Sequence, residues 1–166
     1  ANTRQYYLDL TVIKKFAEKG YTPFTPALPL FYALDEALKM IREEGLEERI
    51  KRHTTCAIAF YKAFEALKIT HYPKEKVRSN TVIAINVPSG VDNAKVQEIM
   101  KERYKVVISG GMGKLKTALL RIGCMGIISE AETLTTINAF ENALDDVNYP
   151  VQIGVGIEAA KRVFHS

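Results

Sequence analysis

The sequence predicts an α+β fold, in which a small mixed sheet of about three strands is covered by helices and preceded by an αα-hairpin. Two segments in the first half carry apolar residues at helical spacing among many charges. After Pro73 the pattern changes to short β-branched runs, which alternate with helix caps and glycines. With 47% hydrophobic and 25% charged residues over 166 positions, the chain can bury a sizeable core.

The first half of the chain is predicted to form the αα-hairpin. Two prolines within residues 21–26 favour an extended approach to a helix that begins near Leu28. Gly45 is expected to end this helix, and a longer one follows over residues 46–68 with an apolar stripe of its own. Residues 6–10 are apolar and are predicted to be irregular.

The second half is predicted to build the sheet and its covering helices. Asp92 stands where an N-cap opens a helix, and Ser129 with Glu132 has the spacing of a capping box. A short helix is expected after Pro150. The predicted strands are residues 81–87, 106–108 and 118–122.

Charge and composition narrow the classes of function. Lys and Arg number 23 against 19 Asp and Glu, so the net charge is +4, and the charges are interspersed along the chain. This pattern argues against a nucleic-acid partner. No apolar run approaches the roughly 18 residues of a membrane span, so we expect a cytoplasmic protein without a membrane partner. Cys56 and Cys124 are expected to be reduced core thiols, with a disulfide as the less favoured alternative.

Two familiar kinds of chemical site are not supported. Residues 110–113 are glycine-rich and precede Lys114, but Leu115 stands where a nucleotide-binding phosphate loop needs a hydroxyl. A tight loop between strands explains these glycines better. The histidines lack metal-binding spacing, so no metal site is expected; they are His53, His71 and His165.

Arg121 is the most informative charged residue, because it lies inside an apolar strand pattern. A buried guanidinium is costly unless it is paired or used, and its planar fork suits bidentate binding of a carboxylate. The alternative is that Arg121 lies on the solvent face of an alternating strand, since Leu120 and Ile122 would point the other way. Sequence spacing leaves both interpretations open.

Thr22 and Thr25 lie beside prolines, just before the first long helix. Hydroxyls and free backbone N–H groups at a helix start favour an anion such as phosphate. Plain N-capping is the more common role for threonine at such a position.

Four segments together resemble a known family. They are FTPALPLFYALDEAL at residues 24–38, EGLEERIKRH at 44–53, VISGGMG at 107–113 and LRIGCMG at 120–126. In this order they resemble the C-terminal half of class V aminotransferases of the alanine–glyoxylate or serine–pyruvate type. Each segment alone would be a weak signature, but the set covers nearly the whole chain.

The resemblance implies the C-terminal domain of a fold type I enzyme that uses pyridoxal phosphate and works as a homodimer. Residues 1–26 would be the end of the large cofactor domain, and residues 27–166 the inter-domain helix and the small domain. The implied reaction moves an amino group between alanine or serine and glyoxylate or pyruvate.

The family's site residues can be carried over position by position. Arg121 matches the arginine that binds the substrate carboxylate, and Thr25 matches the threonine that reaches the cofactor phosphate of the neighbouring subunit. Thr22 stands where the family has a tyrosine and is the second candidate for cofactor binding. The lysine that holds the cofactor would lie upstream, so no catalytic residue is assigned and the chain alone is expected to be inactive. The alternative is a non-catalytic module that binds a ligand or a partner.

Overall fold

The computed structural model describes residues 6–165, and these divide after Gly45 into two compact units. The first unit contains helices α1 and α2, and the second contains helices α3 to α6 with strands β1 to β3. Short 3-10 turns cover Glu75–Val77 and Gly113–Leu115. The helices are α1 Leu10–Ala17, α2 Leu28–Glu44, α3 Leu46–Ala66, α4 Asn93–Glu102, α5 Glu130–Asp146 and α6 Val155–Phe164. The strands are β1 Val82–Asn86, β2 Ser109–Gly110 and β3 Leu119–Gly123.

The first unit begins with a helix that the sequence pattern did not predict. Asp9 caps α1, because its carboxylate accepts a hydrogen bond from the backbone N–H of Thr11 at 2.9 Å. The rings of Tyr6 and Tyr7 lie 5.2 and 5.0 Å from that of Phe24. This aromatic cluster joins the opening residues to the turn before α2.

Helix α2 begins at Leu28 as predicted and ends at Gly45, whose φ of 86° few other residues adopt. Helix α3 then begins at Leu46. Both helices of the predicted hairpin are therefore present. Because they belong to different compact units, the packing of the hairpin itself stays a prediction.

The sheet of the second unit has the strand order β1-β3-β2, and both pairings are antiparallel. The α+β class and the three strands are confirmed, but the expected mixed pairing is wrong. Strands β1 and β2 run in the same direction, and β3 lies between them and opposes both. Strand β2 begins at Ser109, after the predicted residues 106–108, which approach the sheet without pairing.

One face of the sheet is buried and the other is partly exposed. Alternate residues of β1 are buried, as expected for a strand with one covered face. The covered face packs against the helices, and in this core the ring of Phe64 meets that of Phe140 edge-to-face at 5.3 Å. The large side chains that are fully enclosed include Phe60, Phe64, Ile83, Ile85, Leu120, Ile137, Phe140 and Leu144.

Helix caps set the ends of the covering helices. Asp92 caps α4 and the Ser129–Glu132 capping box opens α5, as predicted. Helix α6 begins instead after Gly154, where a carboxylate from α5 provides the cap. Glu141 is fully buried and accepts hydrogen bonds from the backbone N–H groups of Gly154 and Gly156 at 2.8 and 2.7 Å.

Both cysteines are buried and unpaired, which confirms the expectation of core thiols. Burial raises the pKa of the Cys124 thiol to about 11, and nearby Cys56 adds to the shift. A thiol with this pKa stays protonated at neutral pH and is a poor nucleophile.

Candidate functional site

Arg121 lies at the centre of β3, on the face of the sheet opposite to the buried Leu120 and Ile122. Its partners in register are Ala84 of β1 and Ser109 of β2. Both side chains are small, so the guanidinium stands on an open part of the sheet and is only partly buried. The alternation that sequence spacing suggested is therefore present.

The side chain of Arg121 is nevertheless held in place. Its Nε donates to the backbone carbonyl of Gly110 at 2.8 Å. Within residues 6–165 the two terminal nitrogens of the guanidinium have no hydrogen bond or ion pair. An oriented arginine with an uncommitted fork is the donor arrangement that suits a planar carboxylate.

The glycine-rich segment forms the tight loop between strands that the sequence predicts. The backbone N–H of Gly111 donates to the carbonyl of Leu119 at 3.0 Å. A Cβ atom at Gly111 would lie 2.0 Å from the carbonyl oxygen of Leu115, so only glycine fits. Gly113–Leu115 makes a single 3-10 turn and not the start of a long helix. The loop therefore serves the β2–β3 hairpin and does not form a nucleotide-binding phosphate loop.

Thr22 and Thr25 are exposed in the turn before α2. Neither caps this helix, since the N-cap is Ala27 and it makes no side-chain cap hydrogen bond. The N–H groups of Leu28 and Leu30 donate to backbone carbonyls, and Pro29 has none. The first N–H groups of α2 are therefore used within the chain, and the turn offers an anion the exposed hydroxyls of its threonines.

The predicted site residues belong to different units. Thr22 and Thr25 lie in the first unit and Arg121 lies in the second. Within the first unit the hydroxyls suit the oxygens of a phosphate, and within the second the guanidinium suits a carboxylate.

The three histidines lie on different parts of the chain: His53 in α3, His71 in the loop after α3 and His165 after α6. In the part of the chain that the structure describes, no three potential ligands from His, Cys, Asp and Glu come together to hold a metal. His71 is the histidine whose surroundings were not expected: its ring is buried, and neither ring nitrogen has a hydrogen-bond partner among the described residues. Burial lowers the pKa of His71, and Arg78 lowers it further.

Over residues 6–165, no helix combines the length and the apolar character needed to cross a bilayer.

Comparisons of the sequence with a family profile and with curated proteins indicate the same family. The sequence profile of the family described as "Aminotransferase class-V" matches residues 7–129. An uncharacterised aminotransferase of Methanocaldococcus jannaschii is 41% identical over 159 residues, covering 95% of this chain and 41% of the relative. Serine–glyoxylate aminotransferase of Arabidopsis thaliana is 36% identical over 156 residues, covering 93% and 39%.

A solved structure agrees on the fold. The crystal structure of ureidoglycine–glyoxylate aminotransferase from Bacillus subtilis superposes with a TM-score of 0.93 at 24% identity, covering all of this chain and 43% of that protein. The chain spans about two-fifths of the length of the curated relatives it matches. Because the family profile matches most of the sequence and the R-I-G segment with its oriented arginine lies within that match, the chain belongs to the class V aminotransferase family.

Proposed function

We propose that the chain is the C-terminal part of a pyridoxal-phosphate-dependent aminotransferase. Residues 1–26 would be the end of its large domain, and residues 27–166 the inter-domain helix and the small domain. The proposed reaction moves an amino group between a small amino acid, alanine or serine, and a 2-oxo acid, glyoxylate or pyruvate. The named serine–glyoxylate relative supports this substrate class.

The geometry of Arg121 is the observation that carries the proposal. Both substrates of such a reaction carry a carboxylate next to the reacting carbon, so one fixed guanidinium serves donor and acceptor in turn. Nε is already bound to Gly110, which leaves the two terminal nitrogens to bind the carboxylate oxygens. The partly buried position strengthens this ion pair relative to one in open water.

The threonines before α2 would bind the cofactor's phosphate. Thr25, with Thr22 beside it, offers exposed hydroxyls that are not used to cap the helix. Pyridoxal phosphate, when bound, supplies the electron sink that allows an amino group to leave one carbon skeleton and join another. The residues of this chain would hold and orient the ligands, while the lysine that carries the cofactor lies elsewhere in the enzyme.

The proposed assembly is a cytoplasmic homodimer with no nucleic-acid or membrane partner. Thr25 would contact the cofactor of the neighbouring subunit, so each site would need both copies. The 166 residues alone should therefore be inactive. A transamination assay of the isolated chain with alanine or serine and glyoxylate checks this, and turnover would contradict it.

Replacement of Arg121 tests the function directly. In an active enzyme that contains this chain, Arg121→Ala should lower kcat/KM by about 30- to 1000-fold, since about 2–4 kcal/mol of charge-assisted binding is lost. Arg121→Lys keeps the positive charge but loses the planar guanidinium, so its kcat/KM should lie between those of the original enzyme and Arg121→Ala. Steady-state kinetics with varied amino acid and 2-oxo acid measures both. An Arg121→Ala enzyme with unchanged kcat/KM would remove Arg121 from the site.

A further inference from the structure

Asn93 is a buried amide that the proposed function does not use. It is the first residue of α4 and only 5% exposed, one of the few enclosed polar side chains among the described residues. Buried amides are costly unless their donors and acceptors are paired. The partners of Asn93 therefore show what this residue holds in place.

The amide nitrogen of Asn93 binds the segment that joins β2 to β3. Nδ2 donates to the carbonyl oxygens of Leu119 at 2.8 Å and of Lys116 at 3.3 Å. The Leu119 carbonyl also accepts from Gly111, so this one oxygen joins both strands of the hairpin to α4. Leu119 begins β3, two residues before Arg121.

Gln97, one turn later in α4, fixes the orientation of the Asn93 amide. Its Nε2 donates to Oδ1 of Asn93, which leaves Nδ2 directed at the hairpin carbonyls. Gly110 lies close to both Lys116 and Gln97. A Cβ atom at Gly110 would be 3.1 Å from the Lys116 carbonyl oxygen and 3.3 Å from Nε2 of Gln97. Asn93 thus bonds the hairpin at Lys116 and Leu119, and Gln97 lies against Gly110, whose carbonyl binds Arg121.

We propose that Asn93 is a positioning residue for substrate binding. It fixes the β2–β3 hairpin on α4 and so fixes the Gly110 carbonyl, which in turn holds Nε of Arg121. The guanidinium then meets the substrate carboxylate in one orientation, without first losing rotamer freedom. This inference rests on the proposed role of Arg121.

The test is a double-mutant cycle in an active enzyme that contains this chain. Asn93→Ala should raise KM for both amino acid and 2-oxo acid about tenfold, with kcat within about twofold and cofactor content unchanged. In an Arg121→Ala background the same change should add almost nothing, because Asn93 acts only through Arg121. A merely structural role would lower cofactor content and would affect both backgrounds alike.

Two further variants support the cycle. Gln97→Ala changes a half-buried side chain and keeps Asn93, so it can replace Asn93→Ala in the test if that variant fails to fold. Gln97→Ala should raise KM about threefold. Asn138→Ala removes an exposed amide from α5 and should leave KM unchanged.

The outcomes separate this inference from the proposed function. If Arg121→Ala raises KM but neither Asn93→Ala nor Gln97→Ala does, positioning by Asn93 is wrong and the carboxylate site stands. Fully additive effects of Asn93 and Arg121 would also overturn it. An Arg121→Ala enzyme with unchanged kcat/KM would remove the carboxylate site itself, and the positioning role with it.

Discussion

Single polar residues in apolar surroundings carry most of the functional information in this chain. Arg121 could be singled out from sequence, since a charge within an apolar strand is unusual. Asn93 and His71 could not, because asparagine and histidine are common in loops and helix starts. Their significance depends on burial: Asn93 contacts carbonyls 23 and 26 positions away, and the His71 side chain is enclosed.

His71 leads to a prediction about pH. Its buried ring lies against Tyr61 and Phe64, and its Nε2 is 3.7 Å from a carboxylate oxygen of Glu65. Because burial lowers the pKa of His71 in the folded chain, the unfolded chain binds the extra proton first. The free energy of unfolding should therefore be greatest above the ordinary pKa of 6.5 and decrease as the pH falls below it.

Urea unfolding between pH 8 and pH 5 measures this dependence. His71→Phe keeps a ring against Tyr61 and should remove part of the loss of stability below pH 6.5. His165→Gln changes an exposed histidine near the chain end and serves as the control. A His71→Phe chain with the same pH dependence as the original would exclude His71 as its source.

The helix ends show which elements depend on local sequence. Asp92 and the Ser129–Glu132 pair cap α4 and α5 with groups only a few residues away, and both were predictable. The start of α6 is capped by Glu141, which lies in α5. In the sequence, Glu141 falls on the apolar stripe of α5 and cannot be distinguished as a cap. The first turn of α6 and the middle of α5 therefore stabilise each other.

Replacement of Glu141 should destabilise this helix pair. Glu141→Ala leaves the N–H groups of Gly154 and Gly156 without their acceptor and should lower the free energy of unfolding by about 3 kcal/mol. Glu141→Gln keeps one acceptor oxygen and should cost less. Glu98→Gln, on the exposed side of α4, is the matched control and should change little. Urea unfolding at pH 7 compares them, and equal midpoints for all would contradict the capping role.

At the scale of the whole molecule, the buried core lies entirely in the second unit. Every fully or nearly enclosed apolar side chain among residues 6–165 falls between Cys56 and Ala160. Helix α2, by contrast, exposes Leu28, Leu30, Phe31, Tyr32, Leu34, Leu38 and Met40. Apolar surface of this extent favours association.

A shortened chain that begins at Leu46 should therefore fold by itself. We expect cooperative urea unfolding with a midpoint close to that of the 166-residue chain, because no core side chain is removed. Light scattering should show less self-association for the shortened chain, since α2 is absent. Non-cooperative unfolding of the shortened chain would show that the first unit is needed for the core.

Most helices, two of the three strands and two caps could be predicted, because each depends on residues close together in the chain. Helix α1 was not predicted, since it is short and none of its residues is buried. Antiparallel pairing was not predicted either: the order β1-β3-β2 arises because β3 inserts between two strands that a helix connects. Spacing along the chain does not record which strands become neighbours.

By itself the sequence determined the family and most of the elements, and it predicted Arg121, Thr25 and Thr22 as candidate binding residues, because motifs and periodicity are local properties. Only the tertiary structure decided that the Arg121 guanidinium is anchored to Gly110 with its fork uncommitted. It also decided that Asn93 fastens the hairpin and that Glu141 caps a distant helix. These contacts join residues from 11 to 26 positions apart, and only folding brings such atoms within hydrogen-bonding distance.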